Sequence, residues 1–244
     1  MTEVNEMEKA KEACLAWQQE MMKTKDTAFS KVGKAVQNKI NAKIPERVHQ
    51  VVTESIKSMV QTVLFGSKWT TKRSPVEEMP FEEREALVRN KVKRYKQMAA
   101  AEGAGTGAGG FLWGLADFPL LLSIKMKFLF DTASLYGYDV KDFHERLYIL
   151  YIFQVAFSSD EKRRDTFLQM KNWNETIKGY ETLSDVDWRK LQQEYRDYID
   201  LAKLLQLIPG FGAIVGAFAN YRFLDHLGET AMNAYRMRLF EEEE

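Results

Sequence analysis

Six glycines crowd the segment from Gly103 to Ser123, GAGTGAGGFLWGLADFPLLLS, whose only charged residue is Asp117. Glycine inside a helix costs about 1 kcal/mol relative to alanine, so helical text that repeats it implies close approach of another backbone or of a membrane. A second segment, Leu204 to Tyr221 (LLQLIPGFGAIVGAFANY), carries no charge and contains Gly210, Gly212 and Gly216. Gly103 and Gly107, Gly105 and Gly109, Gly110 and Gly114, and Gly212 and Gly216 each stand four apart, which on a helix puts both members of a pair on one face. Each segment approaches the roughly 20 apolar residues needed to cross a hydrocarbon core. Asp117 weighs against crossing, at about 2.5–3.5 kcal/mol for a carboxylate at the bilayer centre. The first reading is therefore a central glycine-rich helix pair in a bundle. The second is a hairpin or monotopic patch dipping into one leaflet, with Phe111, Trp113, Phe118, Lys125 and Lys127 meeting lipid. A true membrane span ranks third.

Hydrophobic periodicity is helical almost throughout, and no alternating β-branched run is long enough to build a sheet. The expected fold class is all-α, a multi-helix bundle. Helices are expected over about 4–25, with Met7, Cys14, Leu15, Gln18, Met21 and Met22 near one face, and over about 29–43 and 45–65, with Pro45 in a first turn. The segment 67–80, with two prolines and short polar residues, reads as a linker. It separates an N-terminal helical region, 1–66, from a larger helical domain, 81–244. Helix is expected from Phe81 into the glycine run, from an Asp117 cap with Pro119 in its first turn to about Tyr136, and from about Lys141 to Phe157 after a YGYD turn. Further helices are expected from a Ser158–Asp160 cap, from Ser184 to about Leu207, and, beyond Pro209, from about Gly210 to Phe240.

Thirty-five basic residues balance 35 acidic ones, so net charge selects no partner. The distribution is uneven. Between Lys23 and Arg73, eleven Lys or Arg face three acids, which suggests anionic lipid as a partner for the first third. Lys68, Trp69, Lys72 and Arg73 are the lipid-contact candidates there; one aromatic in a basic loop gives no case for nucleic acid. Cys14 is the only cysteine, which rules out an intrachain disulfide and fits a reducing compartment. The first residues, MTEVNEMEKAKEACLAW, lack the apolar core of a secretory signal, so the expected location is cytoplasmic, peripheral on the inner face of the membrane.

Chemistry is sparsely encoded. Gly105 to Gly110 satisfies G-x-G-x-x-G, but a basic helix precedes it and no βαβ unit follows. Asp131, at the right distance for the acidic partner, is better explained by an i, i+4 pair with Lys127. No cofactor is expected. His49, His144 and His226 form no two-ligand motif, so no metal is expected either. Asp117, Asn220, Asp225 and His226 are the residues to test for a catalytic role, and G-x-S-x-G is absent.

Three blocks, AAAEGAGTGAGGFLWGLADFPLLL, YGYD and IPGFGAIVGAFANYRFLDHLGETAMNAYRMR, resemble in content, order and spacing the signature segments of the EcsC family. The resemblance covers about Phe81 to Leu239. It makes Gly103, Gly107, Gly110, Asp117, Pro119, Tyr138, Asp139, Pro209, Gly212, Gly216 and Asn220 family motif residues, with Gly114 added on the packing argument. It implies a bacterial, membrane-proximal accessory protein, since the family is named from an operon that also encodes an ABC transporter's ATPase and membrane subunits. It transfers no catalytic residue, although hydrolase activity has been suggested for such proteins. The leading expectation is a helical, lipid-contacting accessory protein that assists an ABC transporter by binding. The alternatives are a hydrolase acting on a lipid or peptide, and a soluble oligomer with no lipid affinity.

Overall fold

Local sequence sets where the helices begin and end. The computed structural model describes residues 2–23, 46–65, 79–107, 118–158, 160–179 and 213–242. They form α1 (Thr2–Met22), α2 (Glu46–Phe65), α3 (Phe81–Gly107), α4 (Phe118–Leu135), α5 (Phe143–Phe157), α6 (Asp160–Lys171), α7 (Trp173–Thr176), a 3-10 turn (Ile177–Gly179) and α8 (Ala213–Glu242). Among the described residues there is no strand, and the fold is all-α. The expected helices over 29–43 and 184–207, the linker from 67 to 78 and the glycine runs at 108–117 and 204–212 lie outside the described residues.

The YGYD turn shows how sequence ends α4. Gly137 has φ 95°, a conformation open to glycine without a Cβ penalty. Its N–H donates to the Ser134 carbonyl and the Tyr138 N–H to Ala133, both at 3.1 Å, which satisfies the last carbonyls of the helix in a Schellman arrangement. Two residues on, the Asp139 side chain accepts from the Lys141 N–H, and Asp142 caps α5 by accepting from the His144 N–H at 3.0 Å.

α5 is apolar on every side and buried from Leu147 to Phe157, so it must be enclosed. It touches α2, α4, α6 and α8. With the similarly buried second half of α4 it forms the centre, where Phe128, Phe130, Tyr148, Phe153 and Phe157 each contribute about 1.5–3 kcal/mol by leaving water. α1 and α2 join the same core through Cys14, Trp17, Met21, Ile56, Val60 and Val63. The buried face of α1 is Ala10, Cys14, Trp17 and Met21, whereas Leu15 and Met22, expected on it, are 57% and 38% exposed.

The most extensive helix contact joins α3 to α8, the two helices that carry the flanks of the glycine segments. Gly103 and Gly107 fall on α3 and Gly216 on α8, but the expected glycine-lined contact involves side-chain surroundings outside the described residues. A different glycine sets the approach where it is described. A Cβ at Gly228 would stand 3.0 Å from both γ-carbons of Val92, so its absence lets α3 and α8 close.

Candidate functional site

The C-terminal half of α8 reads N-A-Y-R-M-R, from Asn233 to Arg238. Helical spacing puts Asn233 and Arg236 on one face and Tyr235 and Arg238 on an adjacent one, so consecutive residues address different neighbours. Toward α3, Arg236 grips the buried Glu85 with two bonds, Nε to Oε1 at 2.9 Å and Nη2 to Oε2 at 2.6 Å, while its Nη1 donates to Asn233 Oδ1. The Tyr136 hydroxyl donates to the same carboxylate at 2.6 Å, and exposed Arg89 stands 3.5 Å away.

Toward α5, the Tyr235 hydroxyl donates to Glu145 Oε1 at 2.6 Å and Arg238 Nη1 to Oε2 at 2.7 Å. Glu145 sits at the third residue of α5, where a Glu often turns back to its own helix N-terminus; here it points into the core. Burial pushes its carboxyl upward against the opposing pull of Arg238. The Arg238 guanidinium lies over Tyr138 at 3.8 Å and Tyr148 at 4.5 Å, and Tyr136 and Tyr138 both stack on Tyr235 with ring centres 5.3 Å apart. Burial, and beneath it the neighbouring carboxylates, drive the Tyr136 and Tyr235 phenols well above their ordinary range. A third buried acid, Asp131, accepts from Tyr95 at 2.9 Å and Lys127 at 2.7 Å and lies 3.0 Å from Lys91, so the expected i, i+4 pair is present inside a larger cluster.

Three hollows adjoin this framework. One of about 260 Å³ lies between α1, α3 and α8 over Glu85 and Arg236. A second, about 300 Å³, has Arg238, Lys171 and Trp173 on its walls. A third, about 400 Å³, is an open groove bordered by Leu15, Met22, Lys23, Phe167 and Lys171. The clamps hold helices together. Their carboxylates are buried and already accept from tyrosine and arginine donors, which suits positioning rather than proton transfer to a substrate. Among the described residues, no three His, Cys, Asp or Glu are grouped to hold a metal, and no helix is long and apolar enough to cross a membrane.

Of the four residues singled out for catalysis, Asp225 is an exposed carboxylate 2.5 Å from Lys96 Nζ, whose ammonium also lies 4.2 Å from the Tyr221 ring centre. His226 is exposed on α8, and its carbonyl accepts from Thr230. Neither borders the three hollows. Asn220 lies on α8 with its side chain outside the described residues, and Asp117 is outside them altogether. Among the lipid-contact candidates, Phe118 and Lys125 are buried in the core, and Lys127 is half-buried against Asp131. Phe111, Trp113, Lys68, Trp69, Lys72 and Arg73 lie outside the described residues, as do Gly110, Gly114, Pro209 and Gly212. Pro119 is exposed in the first turn of α4, and Asp139 is exposed in the turn. Among the described motif residues, Tyr138 alone enters the Glu145 cluster. Glu85, Glu145, Arg236 and Arg238 were not singled out from the sequence, although two arginines spaced among Met, Ala and Leu on an apolar helix are the signal that marks them.

These features define an all-α protein in which buried carboxylate, tyrosine and arginine clusters tie a long C-terminal helix to two others. The chain belongs to the EcsC protein family, whose model matches residues 8–240. It is 48% identical over 228 residues to Protein EcsC of Bacillus subtilis (strain 168), covering 93% of this chain and 94% of that one. It is 33% identical over 147 residues to the uncharacterized protein YdbA of the same organism, covering 60% and 54% of the two chains. No solved structure matches it.

Proposed function

We propose that this chain is a membrane-proximal accessory protein that acts by binding, on the cytoplasmic face, with anionic lipid as its partner and an ABC transporter as the machine it assists. The supporting observation is the open groove between α1 and α6, where Leu15 and Met22 expose 57% and 38% of their surface beside Lys23 and Lys171. Exposed apolar side chains rimmed by lysines suit the boundary between acyl chains and anionic head groups. Lys23 is bridged to Glu20 at 2.9 Å, an exposed pair that screening and competing phosphates weaken easily. The transporter element of the proposal rests on the family's operon context alone.

Co-sedimentation with phosphatidylglycerol and phosphatidylcholine vesicles at low and high salt tests the lipid element. Binding to phosphatidylglycerol that survives high salt supports apolar insertion, and binding lost at high salt supports attraction by the basic residues. No binding to either vesicle under any condition overturns the membrane proposal in favour of a soluble helical protein.

A further inference from the structure

The protein uses its two clamp arginines unequally. Arg236 donates from all three nitrogens, to Glu85 twice and to Asn233. Arg238 donates from Nη1 alone, to Glu145, and among the described residues no protein acceptor meets its Nε or Nη2. Its guanidinium plane is covered by the Tyr138 and Tyr148 rings, and its side chain retains 17% exposure. A planar cation covered by rings and held at one edge by a carboxylate is not free to turn toward another partner. Its unused N–H groups are donors fixed in direction. Arg238 lies on the wall of the 300 Å³ hollow, together with Lys171, Trp173 and the amides of Asn172 and Asn174. One N–H of the Asn172 amide donates to the Leu168 carbonyl at 3.2 Å, which leaves its second N–H and the Asn174 amide as further donors on the wall.

We propose that this hollow is an anion-binding site, in which a phosphate or carboxylate group takes the unused edge of Arg238 and is faced by Lys171 as a second cation. Two acids share the wall. Glu175 accepts from Lys178 Nζ at 2.5 Å, and Glu241 is exposed three residues beyond Arg238 on α8. With acids and bases balanced, directed donors rather than a positive field supply the attraction, so a free ion binds at a Kd of roughly 1 mM. Lys171 borders both hollows, but the anion site rests on Arg238 and not on the Leu15 and Met22 groove, so the two proposals fail separately.

The test follows the Arg238 Nε–Hε resonance of the full chain during titration with sodium phosphate at constant ionic strength. A saturable shift is expected, tightened about threefold by Glu241→Gln and weakened about threefold by Lys171→Gln, both exposed positions. Arg238→Lys, which keeps the charge and loses the fork, is followed instead through the indole N–H resonance of Trp173 on the same wall and is expected to lose saturable binding; if that variant fails to fold, the two surface variants carry the test. Phosphatidylglycerol vesicles that displace phosphate, with phosphatidylcholine vesicles inert, identify a lipid head group as the source; phosphate binding untouched by either identifies a soluble anion. No saturable shift up to about 50 mM phosphate, or a shift indifferent to both surface variants, overturns the site. Vesicle binding through Leu15 and Met22 with Arg238 silent to phosphate and vesicles would uphold the membrane proposal while overturning this one.

Discussion

Arg236 and Glu85, 151 residues apart in the chain, meet inside the protein in a two-point ion pair of 2.6 and 2.9 Å, with side chains only 9% and 2% exposed. Such a pair is a fastening between α8 and α3. Its worth lies less in net attraction, which desolvation offsets, than in the penalty for leaving either charge alone.

Glu85→Leu and Arg236→Met are each expected to lower unfolding free energy by about 3–5 kcal/mol, because each strands a buried charge. The double variant is expected to recover most of that loss, since it removes both charges together. Urea titration followed by helical circular dichroism measures all three, and additive losses in the double variant would refute the coupling.

Gly228→Ala sets helix propensity against packing. Alanine gains about 1 kcal/mol as a helix former, whereas a Cβ 3.0 Å from two carbons of Val92 carries an overpacking penalty of about 1–3 kcal/mol. Net destabilisation is expected, relieved when Val92→Ala is added. A stabilised single variant would show that Val92 moves aside freely.

Alkaline pH is expected to unfold the protein. Tyr95, Tyr136, Tyr148 and Tyr235 all have phenols raised above the ordinary value of 10.0, with burial the first cause in each. Between the ordinary and raised values the unfolded chain has lost protons that the native state keeps. Stability contributed by these groups is therefore present below about pH 10 and falls as pH rises above it. Absorbance at 295 nm should show these four phenols ionising only together with loss of helical signal. Ionisation of all tyrosine phenols while the helical signal is retained would contradict the buried clusters.

Cys14 offers a single-site probe of α1 docking. It is 1% exposed, its Sγ lies 3.5 Å from the Asn233 carbonyl, and burial pushes the thiol above 9.0. Reaction with Ellman's reagent at pH 8 is expected to be orders of magnitude slower in native protein than in urea. Equal rates would mean that α1 is not held against α8.

Leu15→Glu with Met22→Glu should weaken vesicle binding at high salt by about tenfold or more while changing stability little, since both side chains are exposed. Unchanged binding would assign membrane contact to another part of the chain.

The sequence was most legible where local chemistry decides. Gly137 in YGYD ends α4 because a left-handed residue is required there, whereas α5 begins at Phe143 after an Asp142 cap rather than at the expected Lys141, because a short acceptor suits a helix N-terminus. The Lys127–Asp131 pair was legible because four residues make one helical step. Partners remote in sequence were not. The sequence points to Asp225 and His226 for chemistry and not to Glu145, and only packing turns Glu145 inward against Tyr235 and leaves Asp225 in a surface pair with Lys96.

Composition and periodicity by themselves determined an all-helical chain, its described turns, and the continuous apolar text of α5 that requires enclosure. Tertiary structure decided which charges are buried and with whom: Arg236 with Glu85, Arg238 with Glu145, and Lys125 inside α4 despite its charge. Helical spacing fixes the direction in which a side chain leaves its own helix, but the residue it meets depends on how separate helices cross, and no local pattern encodes that crossing.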